Sequence, residues 1–100
     1  MRPPVLTADE VAAALTGRPG WSGDTGRITR TVRVAPDGAA AVLEAVQRVA
    51  DELDHHPVVR QDGDDVTFTV WTHWLGGVTA KDFALAQAID SVLAGAGGSR

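Results

Sequence analysis

Apolar residues along this chain repeat with two different periods, and the changes of period mark its elements. The first signal is an N-terminal cap. Thr7 can accept from the amide three residues on, Glu10 can reach back to Thr7, and Leu6 can pack on Val11 as a hydrophobic staple. This predicts a helix from Ala8 to Thr16 that stops at Gly17. "GRPGW" then turns the chain, and "SGDTG" leads into "RITRTVRV". There Ile28, Val32 and Val34 alternate with polar residues, the pattern of a half-buried strand with a hairpin partner.

"APDG" breaks the strand, and Asp37 is the expected cap of a second helix. Its apolar positions Val42, Leu43, Val46, Val49, Ala50 and Leu53 repeat at three and four, the strongest periodic signal in the chain. The residue before a proline is driven out of helical geometry, so this helix ends by His56, ahead of Pro57. "VVRQ" and "DVTFTVWTH" flank the turn signal "DGD". Val66, Phe68 and Val70 face one way, and Thr67, Thr69, Trp71 and His73 face the other. "GGVTAKD" repeats the grammar of the first helix, with Thr79 as cap, Asp82 at the third helical position and Val78 stapled on Phe83. The last helix is expected to reach about Ala94, followed by a flexible tail from about Gly95.

Hairpins alternating with single helices give the order α-β-β-α-β-β-α. The expected fold is α+β and two-layered, a four-stranded antiparallel sheet covered on one face by three helices. At 100 residues, 44% of them hydrophobic and 22% charged, the chain reads as a single domain over residues 1–100. A formal net charge of −4 argues against nucleic acid or anionic lipid as partners, since both are bound through clustered Lys and Arg. With no cysteine there is no disulfide, thiolate nucleophile or thiolate metal site. No apolar run approaches the about 18 residues of a membrane span, and "MRPPVLTADE" lacks the apolar stretch of a signal peptide, so the expected location is the cytoplasm.

The candidate chemistry lies in the histidines. If helical geometry persists to His55, Asp51 is one turn earlier and can orient that imidazole. His73 arrives at the end of a strand expected to pack beside the same helix, which would bring the three imidazoles to one cleft. Imidazoles also complement a helix C-terminus, so capping is a compatible role for His55 and His56. Adjacent histidines diverge at a helix end and no H-E-x-x-H spacing is present, so no metal is expected. Trp71 reads as core or interface, whereas Trp21 and Trp74 are placed to line a pocket.

"DELDHHP", "TVWTHWLGGVTAKD" and "FALAQAID", in that order, resemble the pterin-4a-carbinolamine dehydratases, a family also known as a dimerisation cofactor of a homeodomain transcription factor. The resemblance runs from the first helix through Gly20 and Trp21 to the last helix. It implies the same α+β fold and assembly into homodimers or homotetramers. The implied reaction is dehydration of a 4a-hydroxytetrahydropterin to quinonoid dihydropterin, without metal or organic cofactor. That reaction serves pterin recycling beside an aromatic amino acid hydroxylase. By position, His55, His56 and His73 match the family's three active-site histidines, Asp51 and Asp82 its two acidic positions, and Trp21 its tryptophan near the pocket. His55 and His73 are the expected acid and base pair, and His56 the expected binder of the pterin or its hydroxyl. Two positions depart from the family: Gly63 stands where an aromatic residue is usual, and Trp74 where a small or acidic one is. The alternative reading is a non-catalytic dimerising or assembly module of the same fold.

Overall fold

The computed structural model describes residues 5–95 and has three helices and one four-stranded antiparallel sheet, in the order that the sequence predicts. Of the tail expected to be flexible, residues 96–100 lie outside the described residues.

Helix α1 (Ala8–Thr16) begins with the predicted capping box. The Glu10 amide donates to Thr7 Oγ1 at 3.2 Å, and the Thr7 amide donates to Glu10 Oε1 at 2.9 Å. Strands β1 (Ser22–Gly23) and β2 (Ile28–Arg33) form a short hairpin. Gly23 is required there, because its φ is 145° and an added Cβ would lie 2.2 Å from the Arg27 carbonyl oxygen. Helix α2 (Pro36–Leu53) starts differently from the expectation for Asp37. The cap position is Ala35, no side chain caps the helix, and Pro36 opens it. Proline's fixed φ is already helical and its missing amide needs no partner, so the helix starts before Asp37, which instead puts its charge in the first turn.

Strands β3 (Val58–Asp62) and β4 (Asp65–Val70) form the second hairpin, a single 3-10 turn follows at His73–Leu75, and helix α3 (Ala80–Gly95) closes the described chain. The strand order is β1-β2-β4-β3, so the last strand of each hairpin lies inside the sheet and the two join at its centre. Their register sets Ile28 opposite Val70 and Val32 opposite Val66, which aligns the apolar faces of the two strands. Ile28, Val66, Phe68 and Val70 pack with Val42, Val46 and Ala50 of α2 and Leu85, Ile89 and Leu93 of α3.

The opposite face of the sheet is polar. Thr31 and Thr67 join hydroxyls at 2.8 Å across the β2–β4 pair, and Thr69 donates to Thr29 at 3.4 Å. Strand β3 is exposed along its whole length, with Val58 at 47% and Val59 at 41% exposure.

Phe68→Ala is expected to lower unfolding free energy by about 3–5 kcal/mol in urea melts, through lost burial and the cavity left behind. Glu44→Gln, on the exposed side of α2, should stay within about 0.5 kcal/mol of the wild type. A comparable loss at Glu44 would contradict its exposure.

Candidate active site

Helix α2 ends in a Schellman turn. Asp54 takes the left-handed conformation with φ 53°, its amide donates to the Asp51 carbonyl at 3.1 Å, and the His55 amide donates to the Ala50 carbonyl at 3.0 Å. The helix therefore stops at Leu53, and His55 and His56 lie beyond it. This changes the predicted partner of Asp51. Helical geometry does not persist to His55, so the (i, i+4) contact never forms, and Asp51 Oδ1 instead meets His56 Nε2 at 2.7 Å.

His55 turns inward to a different carboxylate, with its Nε2 2.5 Å from Asp82 Oδ1. Asp82 is fully buried at the start of α3. Its second oxygen accepts from the Thr72 hydroxyl at 2.9 Å and from the Thr79 amide at 2.8 Å, and the two threonine hydroxyls meet each other at 2.8 Å. The bond back to Thr79 is the predicted half of a capping box. The Thr79 hydroxyl accepts from the Lys81 amide at 3.2 Å, one residue earlier than a regular box would have it. Among the described residues, no buried side-chain polar atom lacks a partner.

His73 comes three residues after the end of β4 and opens the 3-10 turn, rather than ending the strand itself. That turn is closed by Thr72 and Gly77, whose backbones bridge at 2.9 Å, and by Gly76 with φ 68°. Gly77 has no room for a side chain, because a Cβ would come within 2.9 Å of the Thr25 carbonyl oxygen.

Asp54, His55, His56, His73 and Trp74 line one cleft of about 230 Å³. Three larger hollows among the described residues, of about 380 to 550 Å³ and one of them against α1, have no imidazole in their lining. Trp74 is 56% exposed at the cleft. Trp21 lies elsewhere: it is buried, and its indole Nε1 donates to Asp90 Oδ1 at 2.8 Å, farther along α3. Trp71 is half-buried on the polar side of the sheet, stacked on His73, rather than in the core. Sequence reasoning overlooked Asp54 as a cleft residue and Thr72 as a partner of Asp82. The "T-H" pair preceding "GG" was the available signal for Thr72.

Together these elements define a small α+β protein with imidazoles, two of them bound to carboxylates, gathered in one open cleft. Such a site can give and take protons. A profile of the family described as Pterin 4 alpha carbinolamine dehydratase matches residues 4–92. The chain is 42% identical over 92 residues to a protein of Mycobacteroides abscessus provisionally named pterin-4-alpha-carbinolamine dehydratase, covering 87% of this chain and 94% of that relative. A relative of the same provisional name from Streptomyces coelicolor is 42% identical over 94 residues, covering 92% of this chain and 93% of its own. The fold superposes with a TM-score of 0.83 on the crystal structure of a transcriptional coactivator/pterin dehydratase from Brucella melitensis, at 28% identity over 89% of this chain and 98% of that one. The chain belongs to the pterin 4 alpha carbinolamine dehydratase family.

The hydrogen bond from His56, and then that from Gln47 at 3.0 Å, hold the Asp51 carboxyl below its ordinary value. A depressed carboxyl stabilises the fold above its unfolded value and loses that contribution as pH falls through the lower, folded one. Carboxyl-carbon NMR titration is expected to find Asp51 below 3.8 in the wild type and closer to 3.8 in His56→Ala. An unmoved midpoint in the variant would remove His56 as the cause.

Proposed function

We propose that this chain dehydrates a 4a-hydroxytetrahydropterin to quinonoid dihydropterin by imidazole acid and base catalysis. The observation that carries the reading is His55, fixed by the buried Asp82 at 2.5 Å, lining the same cleft as His73. In the reaction the bond from C4a to the hydroxyl oxygen breaks, N5 loses its proton, and a C4a–N5 double bond and water form. One imidazole protonates the departing oxygen and the other takes the N5 proton, a pairing open to side chains that titrate near neutral pH.

His55 and His73 form that pair. His56, tied to Asp51 at the cleft rim, binds the pterin or its hydroxyl, and Trp74 offers an aromatic face to the heterocycle. Asp82, rather than Asp51, orients His55. The reaction needs no metal or organic cofactor, and it recycles pterin beside an aromatic amino acid hydroxylase. The names of the relatives and the family match support this substrate class.

His73→Ala is expected to slow the decay of enzymatically generated 4a-hydroxytetrahydropterin by about 10²- to 10⁴-fold while circular dichroism stays unchanged. A wild-type rate in this variant would sink the acid and base assignment.

The active form is a homodimer or homotetramer. Supporting this, β3 leaves an unpaired edge with Val58 and Val59 exposed, and Leu53 at the adjoining helix end is 41% exposed. Sedimentation equilibrium should give two or four times the 10.4 kDa chain mass, and a monomer at all concentrations would refute it.

A further inference from the structure

The three imidazoles are restrained in unequal ways. His55 and His56 each commit Nε2 to a carboxylate, at 2.5 Å and 2.7 Å. His73 is exposed and makes no side-chain hydrogen bond among the described residues. Its partner is Trp71. The two rings stack with centroids 4.2 Å apart and planes inclined by 15°.

Strand alternation creates this contact. Thr67, Thr69 and Trp71 follow one another along the uncovered side of the sheet, and the chain then bends into the 3-10 turn that begins with His73. Arg27, from the turn that enters β2, sets its guanidinium carbon 5.1 Å from the centre of the Trp71 ring. A cation at that distance over an indole is attracted by the ring's negative face. Arg27, Trp71 and His73 therefore form a ladder at the end of the sheet where the cleft opens.

A stacked partner differs chemically from a carboxylate. It restrains the tilt of the imidazole through its face, while both nitrogens remain at the ring edge, available to a substrate. We propose that Trp71 is the positioning residue of His73: its indole holds the imidazole in the cleft with both nitrogens free for proton transfer, and Arg27 steadies the indole. The inference rests on the dehydratase reading above and gives a role to a residue to which that reading assigns none. A stack that served only as packing would affect stability and leave turnover alone.

The test compares Trp71→Thr and Trp71→Phe with the wild type, measuring kcat and KM for dehydration and the His73 ring-proton shifts by NMR, assigned with His73→Gln. Trp71→Thr should lower kcat by about 3- to 10-fold, the scale of one aromatic pair, with KM changed by less than about 2-fold. The His73 ring protons should move downfield as the indole ring current is lost, and Trp71→Phe should restore most of the rate. If Trp71→Thr does not fold, Arg27→Gln takes its place, with an expected loss in kcat of about 2-fold and a smaller displacement of the same protons. Wild-type kcat in Trp71→Thr, unmoved His73 shifts, or a rate that phenylalanine does not restore each overturns the proposal. A wild-type protein without dehydration activity overturns the functional reading instead, and the His73 shifts then decide on their own whether Trp71 orders that ring.

Discussion

The buried carboxylate of Asp82 is the point on which the site depends. Three parts of the chain meet at its two oxygens: the segment after β4 through Thr72, the start of α3 through the Thr79 amide, and the exit of α2 through His55. A fully buried carboxylate is costly unless every lone pair is engaged, and this one has donors on both oxygens. The same bonds that make its burial tolerable also fix where His55 lies. Removing the carboxylate would leave the Thr72 and Thr79 hydroxyls paired with each other, but the Thr79 amide and His55 would lose their acceptor. Local structure and the proposed catalytic geometry therefore share one set of hydrogen bonds.

The second constraint is the way α2 ends. A helix continued to Pro57 would have set His55 one turn beyond Asp51 on the same face. The Schellman turn at Asp54 instead lets adjacent imidazoles take different carboxylates, His55 the buried one of Asp82 and His56 the exposed one of Asp51. The two pairs then differ in solvent: His55 is 11% exposed and His56 is 48% exposed. A screened surface pair contributes little to stability, whereas a buried one holds its geometry firmly. The division suits an inner imidazole that reacts and an outer one that binds.

Much of this was legible in the sequence where neighbours in sequence decide the outcome. The Thr7 and Glu10 capping box, the alternation through Val66, Phe68 and Val70, and the bond from Asp82 back to Thr79 follow from local spacing. The pairing of the imidazoles was not legible, because His55 and Asp82 are 27 residues apart and meet only after α2 and α3 have packed. Asp37 failed as a cap because Pro36 started the helix first. Trp71, read as core or interface, lies on the outward face that it shares with Thr67 and Thr69, and alternation gives the face of a strand but not what covers that face. On this sheet the helices cover only the other side, so the indole stacks on the next outward residue, His73.

Trp21 shows how the site is supported from a distance. Asp90 lies eight residues beyond Asp82 on α3, about 12 Å along the axis and rotated by about 80° beyond two full turns. It accepts from the Trp21 indole at 2.8 Å and from Arg30 at 2.6 Å, with Arg18 at 3.5 Å, so it ties α3 to β2 and to the loop before β1. Helix α3 is thus held by one carboxylate at its start and by another farther along, on different faces and to different parts of the chain. Sliding or turning the helix to move Asp82 would break the Asp90 bonds as well. Trp21 therefore bears on the position of His55 through the rigidity of α3, without reaching the cleft that His55 lines.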